Sequence, residues 1–170
     1  MSINSSLSKP NSIFWDQLHW QPSDKQLNQF IKFQSLLKYW NKKVNLTRLL
    51  KGDDYWIAHV YDSLWPFKKM LHQIQTKNLN FIDVGTGCGF PGIALAIAIP
   101  EAKIMLLDSS AKKTSVLKTI TKEIGLESQV KIRNERVEIT GQNNIQPIDL
   151  RREQAYIMAK EMLLKLGMIS

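Results

Sequence analysis

A glycine-rich turn between two apolar segments constrains this chain more than any other feature of its sequence. Phe81–Val84 is a short apolar run, and the glycines that follow it alternate with other residues, at Gly85, Gly87 and Gly89. Glycine permits a positive φ and lets a ligand approach the backbone closely. Pro91 suits the first position of a helix, because its missing N–H would be unpaired there. The pattern predicts one half of a nucleotide-binding βαβ unit, with its helix ending at Pro100.

Asp108 narrows the class of ligand. It ends the second apolar strand, Lys103–Leu107, and a carboxylate in that place can accept hydrogen bonds from both hydroxyls of a ribose. The dinucleotide fingerprint G-x-G-x-x-G would need a third glycine at position 90, where the chain has Phe90. The G-x-G-x-G form, without a lysine for phosphates, favours S-adenosylmethionine over NAD or ATP. The alternative is a helix-capping glycine loop in an ordinary α/β protein.

Size and composition predict a globular cytoplasmic protein. The chain has 170 residues, of which 44% are hydrophobic, enough for a core. It has one cysteine, Cys88, and no apolar run of the ~18 residues that a membrane span needs. Its first twelve residues are mainly polar and have no apolar h-region, unlike a signal peptide. We therefore expect a cytoplasmic location and no membrane partner. Cys88 lies in the glycine loop, where a small residue filling a turn is more typical than a nucleophile.

The chain is basic, and the excess charge lies mainly in its N-terminal half. The net charge is +8; residues 1–80 have 11 basic and 5 acidic groups, whereas residues 81–170 have 12 and 10. The excess is therefore +6 in the first half and +2 in the second. This balance favours a polyanionic partner such as nucleic acid. A solvated basic face that only aids solubility is the alternative.

The N-terminal half predicts helices. Ile13–Trp20 has the spacing of a short helix. Ser23 with Gln26 fits a capping box for a longer amphipathic helix, whose apolar stripe begins at Leu27. That helix carries Phe33 and Trp40. These rings could stack on bases, but aromatic residues at helical spacing are more typical of a core.

A further helix, with an N-cap at residues 52–54, carries Trp56, Val60 and Leu64, and we expect Pro66 to end or kink it. His59 and Asp62 lie one helical turn apart, which invites a metal interpretation. Because the chain has three histidines and none clusters with other ligands, we predict no metal site.

Beyond Asp108, the sequence predicts a helix capped by Ser110 and ended by Gly125, then a third strand at Val130–Arg133. The loop after that strand could contact the adenine ring of the same ligand. Residues 139–154 have the composition of a loop, which leaves Tyr156–Ala159 as the candidate fourth strand.

Several motifs together resemble one family. In chain order they are KYWNKKVNLTRLL, HVYDSLWPF, FIDVGTGCGFPGIALA, LLDSSAKK and RVE. They resemble the RsmG (GidB) family, the guanine-N7 methyltransferases of small-subunit ribosomal RNA, from about Trp20 to Glu138. The resemblance implies an α/β fold of the Rossmann-like, S-adenosylmethionine-dependent methyltransferase type with an N-terminal helical extension. We place the helical region at residues 1–78 and a partial methyltransferase domain, with an incomplete sheet, at residues 79–170.

The resemblance also implies a set of site residues and partners. The cofactor contacts would be Gly85, Gly87, Gly89, Phe90, Asp108, Ser109, Ser110, Val137 and Glu138, and Arg136 would position the substrate. A further family contact is an arginine in a segment like D-x-V-x-A-R-A, where this chain has Lys160 followed by Glu161. The cofactor would be S-adenosylmethionine and the partner 16S ribosomal RNA or the small ribosomal subunit, bound by a monomer.

Two further functions stay open at this point. Family members continue well past position 170, so the chain resembles a C-terminally truncated or altered member. A catalytically impaired remnant that binds cofactor or RNA is therefore one alternative. A methyltransferase of the same fold that acts on another substrate is the second, although it leaves the basic N-terminal half unexplained.

Overall fold

Two helices begin the described part of the chain and confirm the predicted boundaries closely. Helix α1 is Ser12–Leu18 and helix α2 is Asp24–Asn41. The capping box before α2 is present: Ser23 N donates to Gln26 Oε1 at 2.8 Å and Gln26 N donates to Ser23 Oγ at 3.4 Å. A computed structural model describes residues 10, 12–50, 53–71, 79–135 and 148–149, apart from the side chains of residues 69, 70, 148 and 149.

The third helical segment changes its winding along its length. It consists of a π-helical stretch, a short α3, a 3₁₀ turn and α4, with the bounds Trp56–Tyr61, Asp62–Leu64, Trp65–Phe67 and Lys68–Leu71. We expected Pro66 to end or kink this segment. It does not end it, because it lies at the start of the 3₁₀ turn, where an intrahelical N–H is not needed. Trp56, Val60 and Leu64 are all buried.

The described strands form one parallel sheet. Strands β1 (Asn80–Val84), β2 (Lys103–Leu107), β3 (Val130–Arg133) and β4 (Ile148–Asp149) lie in the order β3-β2-β1-β4. The β1–β2 register runs from Asn80 opposite Lys103 to Val84 opposite Leu107. This arrangement of neighbouring parallel strands is that of a Rossmann-like sheet and confirms the predicted fold class.

The prediction that residues 139–154 form a loop was wrong in part, because a short strand lies within them. Ile148–Asp149, inside the predicted loop, pairs with β1 through Phe81 opposite Ile148 and Ile82 opposite Asp149. A strand of two residues is too short to show a hydrophobic periodicity, and Pro147, directly before it, is a residue typical of loops. Pairing with β1, 67 positions earlier in the chain, stabilises a strand that the local sequence pattern does not predict. The segment Tyr156–Ala159 lies outside the described residues.

Two helices cover the sheet. Helix α5 is Gly92–Ala98, and all seven of its residues are buried. Helix α6 is Ala111–Glu123; Ser110 caps it and Gly125 follows with φ +74°, both as predicted. Pro91 lies one residue before α5 rather than at its first position, and its carbonyl accepts from Leu95 N at 3.1 Å.

The N-terminal helices and the sheet share one core. The cluster includes Trp15 and Phe33 from the helices together with Leu95, Leu106 and Leu117. Gln26 Nε2 donates to the carbonyl of Ile97 at 2.9 Å, and Gln29 Nε2 donates to that of Ile124 at 2.9 Å. Helix α2 therefore docks on α5 and on the end of α6, while a domain boundary near residue 78 stays a prediction. In the part of the chain described, no helix is long and apolar enough to cross a membrane.

Candidate cofactor-binding site

Three loops meet at the carboxyl ends of β1, β2 and β3. In a parallel sheet these ends share one edge, which is where ligands of such folds bind. The loop after β1 joins the end of β2 because Thr86 N donates to the carbonyl of Leu107 at 2.9 Å. The loop after β3 joins the same place, since Asn134 Nδ2 donates to the carbonyl of Asp108 at 2.9 Å. The edge thus gathers predicted residues from separate parts of the sequence.

Asp108 is held firmly at this edge. It is 8% exposed; its Oδ2 accepts from Gly87 N at 2.9 Å and its Oδ1 accepts from Ser110 N at 2.8 Å. Each carboxylate oxygen has a second lone pair, so both can accept one more hydrogen bond. The two backbone donors fix the orientation of the carboxylate, which is what selective contact with a pair of hydroxyls requires.

The glycines of the loop fall into two groups. Gly85 (φ +69°) and Gly87 (φ +60°) border open space: a Cβ at Gly85 would meet no atom within 4 Å, and one at Gly87 only the carbonyl oxygen of Gly85 at 3.9 Å. Gly89 (φ +100°) is different, because a Cβ there would lie 2.6 Å from Ile93 Cδ1 and 3.1 Å from Leu117 Cδ2. Gly85 and Gly87 leave room for a ligand, whereas Gly89 permits close packing of the helices.

A second carboxylate, which the sequence analysis did not single out, holds the glycine loop in place from its buried side. Asp83 is fully buried, and its Oδ2 accepts from Thr86 Oγ1 at 2.7 Å and from Gly92 N at 3.0 Å. It therefore ties the loop to the first residue of α5. An aspartate within the apolar strand was the available signal, because a buried carboxylate needs donors close by.

Phe90 is placed differently from the other loop residues. Its ring is 7% exposed and packs against Phe33, with centroids 5.0 Å apart, and against His59, with centroids 4.6 Å apart. The predicted contact between Phe90 and the cofactor could thus be made only by its backbone, because the side chain belongs to the core. The sequence analysis used Phe90 only as a departure from the dinucleotide fingerprint and as a cofactor contact. It missed that Phe90 connects the loop to the N-terminal helices.

His59 is engaged by protein groups. Its Nε2 lies 2.9 Å from Thr47 Oγ1, and burial lowers the pKa of the imidazole. The residues that the structure describes include no group of three histidine, cysteine, aspartate or glutamate side chains arranged to hold a metal ion. Cys88 is half-buried and packs against the core.

Of the remaining predicted site residues, the structure describes two and does not describe the other four. Ser109 is exposed beside Asp108, and Ser110 Oγ accepts from Lys113 N at 3.4 Å as the cap of α6. The other predicted contacts lie outside the described residues: Arg136, Val137, Glu138 and Lys160.

Comparison with known proteins identifies the family. The family model described as GidB, rRNA small subunit methyltransferase G, matches residues 26–161. Ribosomal RNA small subunit methyltransferase G of Prochlorococcus marinus (strain NATL2A) is 56% identical over 133 residues, 78% of this chain and 53% of that protein. The protein of the same name from Synechococcus sp. (strain RCC307) is 50% identical over 129 residues, 76% of this chain and 54% of that protein.

The chain spans about half the length of the curated relatives it matches. Among solved structures, the METTL16 methyltransferase domain aligns with 81% of this chain and 58% of that chain, with a TM-score of 0.41 and 12% identity. The match to the family model includes most of α2, the glycine loop and Asp108. The chain belongs to the GidB family, the rRNA small subunit methyltransferase G proteins.

Proposed function

We propose that this protein transfers a methyl group from S-adenosylmethionine to N7 of a guanine in 16S ribosomal RNA. One observation carries the proposal: the fixed carboxylate of Asp108 lies beside the open face of Gly85 and Gly87. The name that these relatives share, ribosomal RNA small subunit methyltransferase G, supports the reaction class and the acceptor.

The described residues fit this cofactor. The free lone pairs of the Asp108 carboxylate suit the two ribose hydroxyls, and the missing Cβ atoms of Gly85 and Gly87 allow close approach of the backbone. Residues 85–91 include no lysine or arginine, so the loop offers no side-chain cation to a phosphate. Ser109 adds an exposed hydroxyl. Val137 and Glu138 would contact the adenine, and Lys160 would replace an arginine of the family.

The chemistry requires little from the side chains beyond placement. S-adenosylmethionine, when bound, supplies an electrophilic methyl group on a sulfonium. Guanine N7 has an in-plane lone pair and no proton, so it needs no general base. The task of the protein is to hold the base in line and exclude water, which is catalysis by proximity and orientation. Arg136 would contribute by holding guanine O6 with its planar guanidinium.

The acceptor must leave its stack to reach the site. A base within a helix hides its edges, so enzymes that modify bases act on unpaired or extruded nucleotides. Among the described residues, the space beside Gly85 and Gly87 lies at the carboxyl edge of the sheet, where we expect the extruded base to enter.

Methyl transfer to ribosomal RNA tests the proposal directly. The protein is incubated with tritiated S-adenosylmethionine and either small subunits or bare 16S RNA from cells that lack guanine-N7 methylation. Borohydride and aniline then cleave the RNA at N7-methylguanine and map the modified position. We expect incorporation at a single guanine, reduced at least tenfold in Asp108→Ala. Incorporation elsewhere than N7, or equal activity of the variant, would contradict the proposal.

A further inference from the structure

The end of α2 and the loop behind it carry unbalanced positive charge. Residues 25–52 include seven basic and no acidic side chains. One of the seven, Lys32, is engaged elsewhere, since its Nζ lies 3.5 Å from Glu123 Oε2. Lys42, Lys43 and Arg48 are exposed and follow one another around the end of the helix. Such an excess of basic side chains attracts a polyanion.

Aromatic rings accompany this charge. Tyr39 is 52% exposed, although it is a large ring, and Trp40 meets it edge to face with centroids 5.4 Å apart and planes at 84°. Lys43 Nζ lies 4.7 Å from the centre of the Tyr39 ring, 5.2 Å from that of Trp40, and donates to Tyr39 Oη at 3.0 Å. The exposed ring is thus held in a fixed orientation by two neighbours. Tyr39 therefore offers an exposed aromatic ring beside cations, which suits stacking on an unpaired base.

The loop after α2 is held in shape by one side chain. Asn41 Oδ1 accepts from Leu46 N at 2.7 Å and from Thr47 N at 3.1 Å, and Asn41 Nδ2 donates to the carbonyl of Thr47 at 2.8 Å. Arg48 directly follows this fastened segment. A preformed surface loses less entropy on binding than a mobile one.

The same loop is linked to the glycine loop by side-chain contacts. Thr47 Oγ1 lies 2.9 Å from His59 Nε2, and the His59 ring stacks on Phe90, which directly follows Gly89. Two side-chain contacts therefore separate the basic loop from the glycine loop.

We propose that Tyr39, Trp40, Lys42, Lys43 and Arg48 form a stacking platform for a single-stranded segment of the RNA substrate. This inference rests on the proposed function for the identity of the RNA and adds the surface that binds it. Phosphates would contact Lys42, Lys43 and Arg48, and an unpaired base would stack on Tyr39. Duplex RNA, whose base faces are covered, would gain from the charges alone.

The charged part of the platform is tested by a matched pair of double variants. Lys42→Gln with Arg48→Gln removes two platform charges. Lys103→Gln with Lys131→Gln removes two exposed charges near the amino ends of β2 and β3, at the opposite edge of the sheet. Binding of a fluorescein-labelled single-stranded RNA of mixed sequence is measured by anisotropy from 50 to 300 mM KCl. Each lost phosphate contact lowers the slope of log affinity against log salt by about 0.7, so the platform variant should be shallower by about 1.4.

The aromatic part is tested at Tyr39. Tyr39→Ala should weaken binding of the single-stranded RNA by about fivefold to a hundredfold, the range of one base–aromatic stack, whereas Tyr39→Phe keeps the ring and should bind like wild type. A duplex of the same length should not distinguish the three proteins. Equal slopes for the two double variants, or an unchanged affinity of Tyr39→Ala for the single strand, would overturn the proposal.

Failure of this inference is distinguishable from failure of the proposed function. Binding is measured without cofactor, so it does not depend on methyl transfer. If the protein binds RNA through the platform but methylates no RNA, the platform proposal is supported and the proposed reaction is contradicted. Methylation of 16S RNA by a protein whose platform variants bind like wild type would do the reverse.

Discussion

The imidazole ring of His59 lies parallel to the phenyl ring of Phe90, with centroids 4.6 Å apart and planes 8° from parallel. His59 belongs to the π-helical stretch, and Phe90 directly follows the last loop glycine. Thr47 contacts the other side of this arrangement through His59 Nε2. The N-terminal helical region is therefore joined to the candidate cofactor site by a stack of rings rather than by a linker alone.

We predict that this stack makes stability depend on pH. Burial lowers the pKa of His59, so the unfolded chain binds the proton more readily than the folded one. The contribution of His59 is complete above the unfolded pKa of about 6.5 and is lost as the pH falls through that value towards the folded pKa. Urea unfolding of wild type and His59→Gln between pH 8 and pH 5 measures it.

The variant serves as the control for other titrating groups. Burial raises the pKa of Asp62, so that group acts with the opposite sign: its contribution is present at low pH and is lost as the pH rises through its folded pKa. Because Asp62 is common to both proteins, the difference between their curves isolates His59. The wild type should lose more stability than His59→Gln as the pH falls from 7 to 5. Parallel curves would show that His59 is not desolvated in the folded protein.

A comparison of Gly85 with Gly125 distinguishes the stability cost of backbone strain from the effect of a side chain that occupies the ligand site. Gly85 and Gly125 have φ of +69° and +74°, and a Cβ at either would meet no atom within 4 Å. Replacing either with alanine should cost about 1–2 kcal/mol of unfolding free energy, the cost of a left-handed conformation for an L-residue. Only Gly85→Ala should also weaken S-adenosylmethionine binding, because Gly125 follows α6. Equal cofactor affinities for the two variants would contradict the placement of the ligand above Gly85.

The buried carboxylate below the loop predicts a selective effect on stability. Thr86→Val removes the hydroxyl that donates to Asp83 Oδ2, and should cost about 1–3 kcal/mol, because a buried carboxylate loses one of its donors. Thr119→Val removes a hydroxyl on the exposed face of α6, and should change stability by less than about 0.5 kcal/mol. Chemical unfolding of both variants measures the difference. Similar small effects would mean that the Asp83 contact contributes little.

Local patterns were sufficient for most of the sheet edge. The apolar run before Gly85 and the carboxylate at Asp108 each follow directly from a strand, and parallel strands bring their carboxyl ends together. Ser23 and Ser110 predicted the starts of their helices, because an N-cap requires a side-chain acceptor at a fixed distance in sequence from the first helical N–H groups. These features depend on neighbours within a few positions of the sequence.

Long-range packing explains what the sequence did not reveal. The ring of Phe90 lies in the core because Phe33 and His59, far away in sequence, surround it. The strand Ile148–Asp149 exists through its pairing with Phe81 and Ile82. Neither partner set leaves a periodic signal near the residue concerned, so tertiary contacts override the local pattern.

Calorimetric titration with S-adenosylmethionine tests the central claim most directly. Asp108→Ala removes the proposed ribose acceptor, and Glu101→Ala removes an exposed carboxylate at the opposite edge of the sheet as a matched control. Thermal melts of each protein verify that it is folded, since Asp108 also holds Gly87 N. We expect wild type and Glu101→Ala to bind alike, and Asp108→Ala to lose about 1.5–3 kcal/mol, tenfold or more in affinity. An unchanged affinity of Asp108→Ala, or tighter binding of NAD than of S-adenosylmethionine, would contradict the account.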